Sequence, residues 1–478
     1  MRAEGVAPEA FATAETPQVS ANTLGRELRS RHVAMITVGG VIGAGLFVGS
    51  STTIATVGPA VVLSYLLAGA LVTLVMQMLG EMASLHPGAG SFTEYARLGL
   101  GPWAGFVGGW LYWYFWVVLI AIEAIAGASI IGEWVAAPQW QIAAALLAVM
   151  TAINLMSTRS FGEFEFWFSS IKVAAIIGFI VVAAGYAFGV APGTVGSNLS
   201  AGGGFAPFGA AAVLAGVASV IFSLVGAEIT TIAAAEAAEP SRVVARLTTT
   251  IITRILLFYV LSIFLITAVV PWTSIVPGQS PFVAALERVG VPGAAFAMKV
   301  VVLTAVLSCL NSGLYVVSRV LFVLARHGDA PAGLVTVNRR KVPSRSIGVA
   351  AVASALVLGI AILSPDDAFS LLVNASGATM LMIYLLVAVS QIRLRRRRER
   401  EGLPPAPVRM WLFPWASYAA VAGTVVLLAA MGVMPDLRSQ LVASVAVGVL
   451  VLLAYLGVRR RSASAPATGP ALADRAAV

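Results

Sequence analysis

The chain has 478 residues, 59% of them hydrophobic and 11% charged, against about 25% charged in a soluble domain. The formal net charge is +9, but the basic residues lie between apolar runs, densest at Arg393 to Arg400, which marks cytoplasmic loops and argues against a nucleic-acid partner. One cysteine, Cys309, excludes a disulfide framework or a Cys-based metal site.

In chain order, residues 1–30 form a polar segment without the apolar core of a secretory signal. A membrane-spanning helix needs about 20 mostly apolar residues. Twelve such runs follow, at roughly 33–55, 58–83, 101–131, 138–157, 165–189, 209–235, 246–271, 292–325, 347–363, 367–390, 411–433 and 440–458. The expected organisation is a cytoplasmic segment over 1–30, a twelve-helix transporter domain over 31–458 and a disordered cytoplasmic tail over 459–478. With both termini inside, 24 of the 30 Lys and Arg residues fall on the cytoplasmic side, as the positive-inside bias requires of a cytoplasmic-membrane protein. His32, His86 and His327 read as solvated loop residues.

The first run reads Thr37-Val-Gly-Gly-Val-Ile-Gly-Ala-Gly-Leu-Phe47, with four glycines in seven residues. One reading is an unwound point whose backbone N–H groups face an anionic substrate group. The other is packing, because Gly39/Gly43 and Gly45/Gly49 are small-xxx-small pairs. The third run carries Glu123 deep among apolar residues. It reads either as a carboxylate facing a substrate ammonium or as half of an ion pair with Arg254 or Arg319, since an ionisable group in mid-membrane needs a partner or a role.

In the fifth run, Lys172 either snorkels to the interface or sits buried, gaining and losing a proton during transport. The sixth run, Val220-Ile-Phe-Ser-Leu-Val-Gly-Ala-Glu228, sets a glycine beside an acid. A second interrupted helix five runs after the first is what an inverted repeat predicts. Glu228 reads as a proton carrier or as a half-helix cap. In the eighth run, Asn311, Ser312 and Tyr315 can line a cavity or simply bond neighbouring helices. There is no phosphate-binding loop, zinc-protease motif or nucleophile elbow, so an enzyme or ATP-driven pump is not expected. Two interrupted helices favour alternating access over a channel.

These stretches together resemble a known family. Arg31-His-Val-Ala-Met-Ile-Thr-Val-Gly-Gly-Val-Ile-Gly-Ala-Gly-Leu-Phe-Val-Gly-Ser50, Gly58-Pro59, Gly80-Glu81-Met82 and Pro87-Gly-Ala-Gly-Ser-Phe-Thr-Glu-Tyr-Ala96 are similar to the amino acid transporter family of the amino acid–polyamine–organocation (APC) superfamily. The motifs Gly109-Trp-Leu-Tyr-Trp113, Gly162-Glu-Phe-Glu-Phe-Trp167, Gly226-Ala-Glu-Ile229 and Ser308-Cys-Leu-Asn-Ser312 resemble its GABA permease branch.

The resemblance implies an all-α, LeuT-like fold, a 5+5 inverted repeat with two extra helices. It also implies proton-coupled uptake of a small amino acid such as 4-aminobutyrate. The alternatives are a permease for another amino acid such as proline, or an exchanger. It places the substrate carboxylate at Ile42, Gly43, Ala44 and Gly45, and the second unwound segment at Phe222, Val225 and Gly226, with Phe222 as an aromatic lid. Ile120 or Glu123 falls at the third-helix site position, where Glu123 suits a distal ammonium. Lys172 matches the lysine that stands where sodium sits in sodium-coupled relatives. The proton is then the coupling ion and no resident cofactor is expected. The partners expected are the substrate and the lipid bilayer, with the chain a monomer or weak homo-oligomer.

Overall fold

Within a bilayer a chain must pair its own backbone groups, and an open chain does so only as helix. The computed structural model describes residues 28–86, 91–200, 202–236, 256–364, 373 and 376–464, and among them it is helical without a strand. The helices are α1 (Ser30–Val41), α2 (Ser50–Val57), α3 (Val61–Leu85), α4 (Phe92–Leu100), α5 (Pro102–Gly132), α6 (Gln139–Met156), α7 (Thr158–Ala184), α8 (Pro192–Ser200) and α9 (Gly209–Leu224). They continue with α10 (Ile229–Ala235), α11 (Leu256–Val269), α12 (Pro281–Val289), α13 (Ala294–Arg326), α14 (Ser344–Leu363), α15 (Thr379–Arg400), α16 (Trp415–Val433) and α17 (Pro435–Ser464).

Among the described residues, nine helical stretches are long and apolar enough to cross a membrane. The chain is a multi-pass membrane protein. The first stretch, Ser30–Leu85, has 56 residues, which is enough rise for two crossings. It turns back at Gly58-Pro59-Ala60, where Gly58 takes φ +75° and Pro59 starts the next helix. A Cβ on Gly58 would lie 2.6 Å from Pro207. The outer helices show apolar side chains where lipid would lie, as at Val442, Val449, Leu450 and Leu453 of α17.

Several elements differ from expectation. The Arg393–Arg400 cluster is not a loop but the last two turns of α15. Arginine is a good helix former, and Arg395–Glu399 and Arg397–Glu401 pair one turn apart. The final helix runs past residue 458 to Ser464; residues 1–27 and 465–478 lie outside the described residues, as do Arg254 and residues 87–90 of the Pro87–Ala96 motif. Nor is His32 a solvated loop residue. It is buried in the first turn of α1, with Nε2 3.2 Å from the Glu163 carboxylate.

A buried ion pair joins α13 to the end of α10. Arg319 of α13 donates to Glu236, just after α10, at 2.8 Å, with both side chains 2% exposed. The guanidinium lies 3.9 Å over the Tyr315 ring, which stacks on Phe161 at 4.3 Å. Arg97 pairs with Asp329, and Arg395 with Glu81. Removing one member of a buried pair leaves the other charge uncompensated. Arg319→Ala should therefore destabilise the protein by about 3–5 kcal/mol. The check is the thermal unfolding midpoint in detergent, where Arg319→Met combined with Glu236→Gln should recover most of the loss.

Candidate functional site

The helical run of α1 stops at Val41, and Ile42 and Gly43 leave the α-helical path. The Gly43 N–H turns back to the Val41 carbonyl at 3.1 Å instead of continuing the ladder. The carbonyls this releases are taken by side chains from other helices. Lys172 Nζ donates to Gly39 O and Ile42 O, both at 2.9 Å. Tyr259 of α11 donates to Val41 O at 2.9 Å, and the Cys309 thiol to Gly40 O at 3.6 Å. The Ala44 N–H points to the Glu123 carboxylate, at 3.1 and 3.3 Å from its two oxygens.

The second break lies between α9 and α10. Gly226 has φ +112°, a conformation that favours glycine. A Cβ there would also meet the Gly40 carbonyl oxygen at 2.4 Å, so the two breaks touch backbone to backbone. Glu228 accepts from Gly226 N–H at 3.1 and 3.2 Å and from the Tyr112 hydroxyl at 2.8 Å. The carboxylate thus holds the backbone N–H two residues before it and makes no capping bond to the first turn of α10. Tyr259 ties the breaks together, because the same hydroxyl reaches Ser223 O at 3.2 Å. A second tie joins the Thr37 and Thr230 hydroxyls at 2.9 Å.

Ile42, Gly43, Ala44, Gly45, Glu123, Val225, Gly226 and Lys172 thus gather around the two breaks. Phe222 is half-buried and packs edge-on against Phe115 at 5.4 Å. Ile120 lies in the α5–α13 contact, where a Cβ on Gly313 would touch it at 2.9 Å. Asn311 faces elsewhere, donating to Glu165 at 3.1 Å and accepting from Asn154 at 2.8 Å. Tyr315 belongs to the Arg319 cluster. The suggested ion pair between Glu123 and Arg319 does not form, because Arg319 is bound to Glu236.

Two residues escaped sequence reasoning. Tyr259 carried no signal beyond a polar group in an apolar run. Glu165 did carry one. It lies seven residues before Lys172, two turns along the same face of α7, and it is fully buried. Above the first break, a cavity of about 560 Å³ is lined by Val48, Ser129, Glu133, Ser280, Glu287 and Lys299. The Arg319–Glu236 pair lies toward the other end of α13 from Lys299.

A helical membrane bundle with two touching helix breaks at its centre is the architecture of a carrier. The amino acid permease family model matches residues 32–461. The chain is 46% identical to the gamma-aminobutyric acid permease of Bacillus subtilis (strain 168), covering 93% of this chain and 96% of that protein. It is 42% identical to the gamma-aminobutyric acid permease of Escherichia coli (strain K12), over 89% and 93% respectively. It is 37% identical to the aromatic amino acid transport protein AroP of Corynebacterium glutamicum, over 91% and 96%. The chain belongs to the amino acid permease family of the APC superfamily.

The glycines of the first break differ in what a side chain would meet. A Cβ on Gly45 would lie 2.8 Å from Ser223 Cβ and 2.9 Å from its Cα, whereas one on Gly49 meets nothing closer than 3.8 Å. Gly45→Leu should force the breaks apart and abolish uptake of labelled amino acid by cells, at normal membrane expression. Gly49→Ala should leave uptake near wild type. Equal tolerance at both positions would show that the close approach at Gly45 is dispensable.

Proposed function

We propose that this protein imports 4-aminobutyrate with a proton by alternating access across the cytoplasmic membrane, through a LeuT-like fold of twelve helices with both termini inside. The relatives named as GABA permeases support the substrate class. The observation that carries the mechanism is the Lys172 ammonium. It is fully buried and spends its three N–H donors on Gly39 O, Ile42 O and Ser308 Oγ, at 2.9, 2.9 and 2.8 Å. A lysine donates three hydrogen bonds and accepts none when charged. Here the ammonium joins the broken first helix to α13, as a coupling cation would.

Substrate recognition starts from the Ala44 N–H. That donor is held by Glu123 in this structure, so an entering carboxylate competes with the Glu123 carboxylate for it. On displacement, Glu123 becomes available to an ammonium. In 4-aminobutyrate a chain of methylenes separates the two charges, so one molecule can bond Ala44 N–H at one end and Glu123 at the other. An α-amino acid holds both charges on adjacent carbons and cannot span in the same way.

Uptake into proteoliposomes, with and without an inward proton gradient, tests the assignment using labelled 4-aminobutyrate, proline and phenylalanine. Gradient-driven accumulation should be greatest for 4-aminobutyrate. Glu123→Gln should weaken 4-aminobutyrate uptake more than uptake of either α-amino acid. Preference for proline or phenylalanine would replace the substrate, and accumulation that ignores the gradient would favour an exchanger.

Topology has its own test. The motivation is the placement of Lys and Arg, with the α15 cluster foremost. Single cysteines at Ser197, before α9, and at Ser344, at the start of α14, should react with a membrane-impermeant thiol reagent from outside and inside respectively. Both reacting from one side would overturn the arrangement.

A further inference from the structure

Glu165 is a fully buried carboxylate that substrate recognition does not use. Its surroundings are specific. The Ser308 hydroxyl donates to Glu165 Oε1 in a short hydrogen bond, and Asn311 Nδ2 donates to Oε2 at 3.1 Å. Ser169, one turn along α7, lies 3.4 Å from Oε1. The Asn154 amide of α6 holds Asn311 from behind at 2.8 Å. Ser308 is also the third acceptor of the Lys172 ammonium, at 2.8 Å.

The hydroxyl between the two charged groups therefore accepts from the lysine and donates to the glutamate. That is the polarity a proton relay needs, with no reorientation before the first transfer. Glu165 also lies between Lys172 and the Thr158 end of α7. The surface pair Arg31–Glu163 and the contact from Arg340 to the Met156 carbonyl mark that end as the charged, aqueous one.

The geometry points to Glu165 as the acceptor of the coupling proton, reached from Lys172 through the Ser308 hydroxyl. The step balances within the chain. The Lys172 ammonium gives one proton to Ser308 Oγ, and Ser308 gives its own hydrogen to Glu165 Oε1. An ammonium and a carboxylate become an amine and a carboxylic acid. The serine ends with one hydrogen as it began, and no other reactant takes part. The ionisable groups facing this cluster are Lys172 on the same helix, Glu123 from α5 and Cys309 from α13. The α1 side offers backbone carbonyls, and α6 offers the neutral Asn154. This inference rests on the reading of Lys172 as the proton carrier.

The test compares two activities of the same proteoliposomes: net uptake of 4-aminobutyrate driven by a proton gradient, and counterflow exchange, which needs no net proton release. Glu165→Gln and Ser308→Ala should lower the ratio of net uptake to counterflow by roughly 10²-fold, the scale of removing a proton-transfer partner. Ser308→Thr keeps the hydroxyl and should restore the ratio. An unchanged ratio in Glu165→Gln and Ser308→Ala, with Lys172→Ala abolishing gradient-driven accumulation, would overturn the relay and leave Lys172 standing. Accumulation that survives Lys172→Ala would overturn the reading of Lys172, and the relay with it. Equal loss of both activities in Glu165→Gln, at normal expression, would make Glu165 a packing residue and also overturn the proposal.

Discussion

The arrangement at the centre of this protein follows from backbone groups that have no helical partner. Breaking the first helix releases the carbonyls of Gly39, Gly40, Val41 and Ile42 and the N–H of Ala44. In an apolar medium each unsatisfied group costs several kcal/mol, about as much as a protein can lose and still fold. Each is met by a partner from another helix: Lys172 from α7, Cys309 from α13, Tyr259 from α11 and Glu123 from α5. One interruption in α1 thus fixes the rotation of four other helices. It also explains why polar side chains in so apolar a chain converge on one level of the bundle rather than scattering.

Close approach is the second constraint, and it narrows the choice left open by the glycine-rich sequence. Gly39 packs on Glu165, Gly43 on Glu123 and Cys309, Gly45 on Ser223, and Gly226 on the Gly40 carbonyl. Packing and unwinding are therefore not alternatives here. The helix can unwind because its glycines let other elements come close enough to take over its hydrogen bonds. A methyl group at Gly39 would overlap the Glu165 carboxylate oxygen, 1.8 Å away. The same residue that weakens the helix admits the group that compensates it.

The outline of this arrangement was legible in the sequence wherever one run held both halves of the evidence. The glycine cluster of α1, the Gly226–Glu228 interruption and the lone Lys172 each stand against an apolar background. Their contact with one another depends on helix packing that a single sequence does not record. The Arg319–Glu236 pair is not legible because Glu236 falls one residue past the apolar run 209–235 and reads as a solvated group, whereas Glu123 stands inside a run and demands a partner. Asn311 and Tyr315 share a polar stretch and, one turn apart, one face of α13, yet Asn311 bonds to Glu165 and Asn154 while Tyr315 packs under the Arg319 guanidinium. The Arg393–Arg400 cluster reads as a loop from charge alone, although arginine propagates a helix once tertiary packing has started it.

Counting hydrogens around Lys172 shows where a proton-driven conformational change would draw its energy. With the ammonium charged, three N–H donors meet three acceptors, and Ser308 donates onward to Glu165. After transfer along that path, the amine keeps two N–H groups for Gly39 O and Ile42 O. Its lone pair accepts from Ser308, and the protonated Glu165 donates to Ser308. Every group is still paired, so the transfer itself does little to the helices. The imbalance arises when the proton leaves Glu165. A single serine hydrogen is then claimed by the amine lone pair and by the carboxylate, and the buried negative charge has lost its cation. A buried acceptor without a donor costs about 1–3 kcal/mol. That is the scale of allosteric coupling that moves a two-state equilibrium about 5- to 150-fold. The bonds to Gly39 and Ile42 are the ones joining α1 to α7 at this level, so they are where that energy would be relieved. On this count, in a cycle driven as proposed, the step that would move the helices is release of the proton from Glu165 rather than its departure from Lys172.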